Sequence, residues 1–90
     1  MDEIEKKFTT AIEEVGNSTW GDKVPDNRKL LMYAYYKQSI IGNINTEQPW
    51  AYQIKARAKW DAWKAVENIR KDVAMRMYVA EFEKQKQEFA

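Results

Sequence analysis

Apolar positions recur at helical spacing through four stretches of the chain. In Asp2 to Val15, Ile4, Phe8, Ala11, Ile12 and Val15 share one helix face. Asp2 stands where an N-cap belongs and Glu5 follows three residues later, an aspartate variant of the capping box. Gly16, Asn17 and Ser18 end that segment. Trp20 to Pro25 reads as a loop, with Gly21 and Pro25 as breakers; Trp20 would anchor it or touch a ligand, and anchoring is the expected role. Asp26 is placed to cap a second helix that runs to about Ile41 and stops at Gly42. Leu30, Ala34, Lys37 and Ile41 fall on one stripe of it, with Leu31 and Tyr35 beside them. Gly42 to Tyr52 is irregular. Gly42 suits the left-handed conformation that ends a helix, Asn43, Asn45 and Thr46 can turn the backbone, and Pro49 blocks continuation. A third helix is predicted over Tyr52 to Val66, with Ala56, Trp60, Trp63 and Val66 on one side. Asn68, Ile69 and Arg70 make a break. A last helix from Arg70 or Lys71 to Phe89 carries Ala74, Tyr78, Phe82 and Phe89, supported by Met75 and Val79. No stretch alternates as a strand would. The predicted fold is all-α, a single domain over residues 1–90. Short connections favour antiparallel neighbours and a longer middle loop permits a different crossing.

Composition narrows the chemistry. The chain has 90 residues, with neither cysteine nor histidine. A chain of that size buries roughly 60% of its unfolded surface, enough for one modest core. Without cysteine and histidine there is no disulfide framework, no thiol chemistry, none of the usual zinc ligands and no Ser-His or Cys-His nucleophile. An enzyme would have to rely on Asp, Glu, Lys or Tyr, and no carboxylate pair stands out from ordinary helix-surface charge. The sequence is therefore read as non-enzymatic, with no metal and no cofactor. The start, Met1-Asp2-Glu3-Ile4-Glu5, is acidic and lacks the apolar core of a secretory signal. No apolar run approaches the ~20 residues that span a bilayer. No helix joins a strongly basic face to a large apolar one. A soluble cytoplasmic protein is expected, without stable membrane insertion.

Charge is uneven along the chain. Met1 to Asp22 has two basic and six acidic residues, Lys23 to Lys71 ten and four, and Asp72 to Ala90 three and four, for a net +1. A basic middle in a near-neutral whole suits a small polyanion better than a nucleic acid, which draws a strongly basic domain. Within that middle, lysines stand close to rings. On a helix Tyr33 neighbours both Tyr36 and Lys37. Lys37 sits in an otherwise apolar stripe, so its ammonium must snorkel to water or meet an anion. Lys59 lies at the edge of the Trp60–Trp63 face, one turn from Lys55. The two tryptophans are read as core, with at least one largely buried. Lys55 and Lys59 are a solvated ridge or the rim of an anion site.

Tyr33, Tyr36, Lys37 and Gln38, then Gly42, Asn43 and Asn45, then Lys59, Trp60, Asp61, Ala62 and Trp63 keep the order and spacing of a known signature. In these three blocks the sequence resembles the acyl-CoA-binding protein family, with weaker similarity from about Phe8 to Phe89. The resemblance implies a four-helix bundle with a long loop between helices two and three. It also implies a carrier of medium- to long-chain acyl-CoA, held as ligand and not as cofactor, for sequestration and delivery to lipid metabolism. It places Tyr36 against the adenine, Lys37 and Lys59 on the phosphates, chiefly the 3′-phosphate, and Tyr33 in the same head-group site. Tyr78 would contact the pantetheine–acyl part. By looser alignment, Lys23 and Leu30 fall near ligand-contact positions and Ile12 lines the acyl path. Phe8, Ile12, Leu30, Tyr33 and Tyr78 would converge on that path if helices one, two and four adjoin. A monomer is expected, with transient contact to membranes or acyl-CoA-using enzymes. The chain departs from the family pattern at several places. Gly16 stands where a basic residue is common, Asn43 where aspartate is common, Arg70 where Ser or Thr starts the last helix, and Gln85 near a usually apolar position. The last two should weaken the ends of that helix. A helical protein–protein interaction module, anchored by Trp20 and Trp50, is the alternative.

Overall fold

The computed structural model describes residues 2–90; Met1, the first position of the domain and of the acidic start, lies outside them. Among the described residues there are four α-helices and no strand: α1 (Glu3–Asn17), α2 (Asp26–Ile40), α3 (Ile54–Lys64) and α4 (Lys71–Phe89). A single 3₁₀ turn, Gly21–Lys23, lies between α1 and α2. The expected all-helical, four-helix architecture is the observed one, with the long connection between α2 and α3.

Local signals explain most boundaries. The Asp2 carboxylate accepts from the Glu5 N–H at 3.1 Å and caps α1. Gly16 does not end that helix. The helix continues to Asn17, and Ser18 closes it, its Oγ donating to the Val15 carbonyl at 3.0 Å. Asp26 is not the cap of α2 either. Pro25 holds the cap position, and its carbonyl accepts from Arg28 and Lys29. Asp26 occupies the first turn instead, where its charge suits the helix dipole. Gly42 takes the left-handed conformation at φ 96°. The third helix is shorter than predicted. Tyr52 and Gln53 belong to the preceding turn, closed by Gln53 N–H to the Trp50 carbonyl. Val66 lies in the turn beyond α3, buried although not helical.

α2 is the central element: it packs on α3 along one side and on α4 along the other, and α1 packs on α4. Two core clusters result. Phe8, Ala11, Met32, Tyr78 and Phe82 join α1, α2 and α4. Ala34, Trp63 and Val66 join α2 to α3 and the turn beyond it, and Tyr35 packs against both clusters.

Buried polar groups fix the registers. Gln38 is 1% exposed. Its Nε2 donates to the Ile69 carbonyl at 2.7 Å and to Asn43 Oδ1 at 3.0 Å. Its Oε1 accepts from the Trp63 indole at 3.2 Å, and the same indole donates to the Gly42 carbonyl. Asn43 Oδ1 also accepts from the Asn68 N–H, and Asn43 Nδ2 donates to Asn68 Oδ1. The amide thus holds the turn, and the second of these bonds is one that an ionised aspartate could not donate. Asn68 itself is left-handed at φ 75°, which asparagine tolerates.

Gln85 likewise departs from the expected weak helix end. It is buried on α4, and its Nε2 donates to Glu81 Oε2 at 2.8 Å and to the Arg28 carbonyl at 3.2 Å. Arg28 pairs with Glu81 and Glu88, each at 2.7 Å, and both carboxylates raise its pKa. A polar clamp therefore joins the start of α2 to the end of α4. At the other end of α4, Arg70 caps without any side-chain hydrogen bond, as expected.

Candidate functional site

Tyr33 borders three hollows of the surface; a further one, about 470 Å³, lies between α1 and α4 away from it. The first, about 360 Å³, lies among α1, the 3₁₀ turn, α2 and α4, walled by Val15, Trp20, Val24, Met32, Tyr36 and Tyr78 as well as Tyr33. The second, also about 360 Å³, lies between α2 and α3, with Leu30, Ile54 and Ala58 as its apolar wall. Lys29, Lys55, Lys59 and Asp26 rim it. The third, about 290 Å³, is walled by Lys37, Thr46, Pro49, Lys59, Trp60 and Trp63.

The cations in these hollows sit over rings. Lys37 Nζ lies 5.1 Å from the Trp63 ring centre and Lys59 Nζ lies 5.5 Å from that of Tyr33. Neither forms an ion pair with a carboxylate among the described residues. Each ammonium is held by a ring that offers only a weak attraction and keeps its N–H donors for another acceptor. Lys37 and Lys59 come from different helices, and α2–α3 packing brings them to one hollow. The helical spacing of Tyr33 and Lys37 was legible in the sequence; the placing of Lys59 beside them needs the tertiary fold.

The aromatic side of Tyr33 is built from α1, α2 and α4. Phe8 and Tyr36 stack with centres 6.4 Å apart, and Phe8 meets Tyr78 edge-on at 5.1 Å. Tyr36 is 39% exposed, leaving ring surface free for contact. Tyr78 is buried, and its phenol is pushed up to about 12, chiefly by burial and then by the neighbouring Tyr36. It therefore stays neutral at ordinary pH, and the residue lines the first hollow.

Not every expected residue joins this arrangement. Ile12 packs against the first core cluster and lines none of the three hollows. Lys23 is exposed in the 3₁₀ turn and also lines none of them. Leu30 does not converge with Phe8, Ile12 and Tyr78. Leu30 and Met32 are about 200° apart around α2, so Met32 faces α1 and α4 while Leu30 faces α3. Tyr33 touches both spaces.

Trp60 and Trp63 divide their roles. Trp63 is buried. Trp60 is half-buried, donates to the Thr46 carbonyl at 3.0 Å and lines the cation hollow with Trp63. Trp20 does anchor its loop, stacking on Phe82 at 6.1 Å, and also walls the first hollow. Lys29 is not singled out by the sequence reading, and Thr46 and Pro49 enter it only as residues of the irregular loop, not of the site. Lys29 stands four residues before Tyr33, the same signal that marked Lys37; nothing local marks Thr46 and Pro49 as neighbours of α3.

Comparison with known proteins identifies the family and the fold. The chain is 36% identical over 87 residues to the acyl-CoA-binding domain-containing protein 3 of Oryza sativa subsp. japonica, covering 97% of this chain and 55% of that protein. It thus spans about half the length of that relative. It is 40% identical over 76 residues to the acyl-CoA-binding domain-containing protein 2 of the same source, covering 84% of this chain and 81% of that protein. The crystal structure of Oryza sativa acyl-CoA-binding protein 2 superposes with a TM-score of 0.86 at 34% identity, over 94% of this chain and 92% of that one. A family model described as acyl CoA binding protein matches residues 5–82, a span that takes in Tyr33, Tyr36, Lys37, Lys59 and Tyr78. The ring-and-lysine surface that meets at Tyr33 is thus carried on a recognised fold, and the chain belongs to the acyl-CoA-binding protein family.

Proposed function

We propose that this chain is a non-enzymatic carrier of medium- to long-chain acyl-CoA. The observation that carries the reading is the position of Tyr33, which borders a hollow bearing Lys37 and Lys59, an apolar hollow rimmed by Lys29, Lys55 and Lys59, and a third that is largely apolar. An acyl-CoA needs that adjacency, because its nucleotide is polyanionic and its chain apolar.

In this reading Lys37 and Lys59 donate to the phosphates. They are point charges with rotatable donors, suited to phosphate without fixed geometry. Tyr36 and Tyr33 offer ring faces to the adenine, and the Tyr78 hydroxyl meets the pantetheine. The acyl chain follows the apolar walls about Tyr33, with Leu30 on the α3 side. Lys23 and Ile12 play at most indirect parts, since neither lines a hollow. Binding withdraws the chain from water and holds the thioester for delivery in the cytoplasm, the carrier acting as a monomer.

Calorimetric titration with CoA, dephospho-CoA, and medium- and long-chain acyl-CoA tests the assignment. A hydrogen bond to a charged group is worth about 1.5–3 kcal/mol, or roughly ten- to a hundredfold in affinity. Lys37→Ala and Lys59→Ala should each weaken long-chain acyl-CoA by that order. Loss of the 3′-phosphate should weaken the wild type and blunt both variant effects. Variant losses of undiminished size on dephospho-CoA would exclude the 3′-phosphate assignment.

A further inference from the structure

Trp50, Tyr52 and Ile54 are 73%, 78% and 77% exposed, three large apolar side chains within five residues. Trp50 and Tyr52 lie in the turn that leads into α3, closed by Gln53 N–H to the Trp50 carbonyl, and Ile54 is the first residue of that helix. Nothing in the ligand assignment uses Trp50 or Tyr52, since neither lines any of the three hollows about Tyr33. Ile54 does, and it connects the turn to the hollow between α2 and α3.

We infer that this turn is a membrane-surface wedge, inserting Trp50, Tyr52 and Ile54 into the headgroup region of an anionic phospholipid bilayer. The side chains are of the chemistry that such a layer accepts. Trp and Tyr carry an apolar body and a polar tip and settle at membrane–water interfaces, while Ile54 supplies purely apolar area.

The charge around them is complementary. Lys29, Lys55 and Lys59 rim the hollow that Ile54 lines, and none of the three forms an ion pair among the described residues. The other charges on the adjoining segments are Arg57, paired with Asp61, Arg28, paired with Glu81 and Glu88, Lys64, paired with Glu67, Lys37, and the carboxylates of Asp26 and Glu47. Lysines beside an inserted turn are drawn to an anionic bilayer surface and screened from it by salt. The form of the patch favours a bilayer over a folded protein partner. Protein hot spots gather in well-packed pockets sheltered by a rim. Trp50 and Tyr52 instead stand in solvent on a turn, with Ile54 exposed at the start of the helix that follows.

The geometry has a consequence for delivery that rests on the acyl-CoA assignment, although the wedge itself does not. With Ile54 in the headgroup layer, the hollow it shares with Leu30 and Ala58 opens toward the bilayer. An acyl chain there could pass to lipid without crossing bulk water.

The experiment is vesicle flotation of the full chain with phosphatidylcholine vesicles and with vesicles containing 30% phosphatidylserine. Wild type is compared with the double variant Trp50→Ala/Tyr52→Ala at low and high salt. Both positions are exposed, so the fold should survive, and circular dichroism checks it. Wild type should float with the anionic vesicles, less with the neutral ones, and less at high salt. The double variant should lose about tenfold in partitioning. Its solution affinity for acyl-CoA should be unchanged, a result that separates failure of the wedge from failure of the carrier assignment. Absence of flotation with either vesicle, or equal flotation of wild type and variant, would overturn the proposal. So would concentration-dependent self-association of the wild type, abolished in the variant, since the patch would then serve a second copy of the chain.

Discussion

At the scale of single residues, exposure and hydrogen bonding separate side chains that look alike in the sequence. Trp60 and Trp63 share a motif and a helix face, yet only Trp63 is buried, with its indole held by Gln38 and Gly42. Trp63→Ala should cost about 3–5 kcal/mol in chemical denaturation. Trp60→Ala should cost roughly half that or less, since part of its surface is already wet, and should instead weaken acyl-CoA binding. Equal midpoint shifts for the two variants would contradict this division. Tyr78 makes a second residue-scale case. An unfolded phenol titrates near 10, whereas in the fold burial pushes Tyr78 up to about 12. Between those values the folded state holds a proton that the unfolded state has lost. The corresponding stabilisation is complete below pH 10 and disappears as pH rises to about 12, a loss of about 2–3 kcal/mol. Tyr78→Phe keeps the ring and removes the titration. Its stability should therefore decline less than that of the wild type over that window, measured by urea unfolding at successive pH values. Parallel decline would show that other groups govern the alkaline limit.

At the scale of elements, four helices were legible because Phe8, Ala11, Ala34, Trp63, Ala74, Tyr78 and Phe82 lie on predicted stripes and are buried. The ends were less legible. Gly16, Asn17 and Ser18 together mark the end of α1 in the sequence, but Gly16 and Asn17 stay helical and Ser18 alone supplies the closing contact. Apolar periodicity also has no means of finding Gln38, Glu81 and Gln85. Their partners lie on other segments: Ile69 and Trp63 for Gln38, Arg28 for the other two. The same limit applied to the site. Tyr33, Tyr36 and Lys37 are helical neighbours that any reading of spacing finds, whereas the separation of Leu30 from Phe8 and Tyr78 depends on which helix packs on which side of α2. Gly16 gives an element-scale prediction. A Cβ built there meets nothing within 4 Å, and the position has no positive φ. Gly16→Ala should therefore stabilise the chain by about 0.5–1 kcal/mol through helix propensity and reduced unfolded-state entropy. Gly16→Lys should stabilise it comparably and add a cation next to Val15, on the rim of the first hollow. Tighter CoA binding by the lysine variant and not by the alanine variant would show that a phosphate contact had been gained. Equal affinity in both would show that the hollow receives no phosphate from that side.

At the scale of the whole molecule, shape decides how an apolar chain can be held. The Cα extents are 36 × 31 × 16 Å, and 16 Å leaves room for about two helix layers at the usual 8–10 Å spacing. A slab this thin has no deep interior to enclose a long acyl chain, so the proposed ligand would have to lie in surface hollows along α2. The core is correspondingly divided, with one cluster toward α1 and α4, another toward α3, and Tyr35 between them. A ligand touching Tyr78 on α4 and Lys59 on α3 would tie together two halves that otherwise meet mainly through α2. Its binding should therefore appear as global stability. A ligand that binds only the folded state adds about 2.7 kcal/mol at a hundred times its Kd. The decisive comparison is the urea midpoint in CoA, a medium-chain and a long-chain acyl-CoA, each at the same free concentration. Each further buried methylene adds about 0.8 kcal/mol of affinity. The midpoint should thus climb with chain length and level off where the hollows end, while hydrogen exchange slows in α3 as well as in α4. Equal shifts from CoA and its long-chain ester would mean that the chain stays in water and that only the nucleotide is recognised. Protection confined to α2 and α4 would mean that the ligand does not bridge to Lys59, and the head-group assignment would have to move to the first hollow.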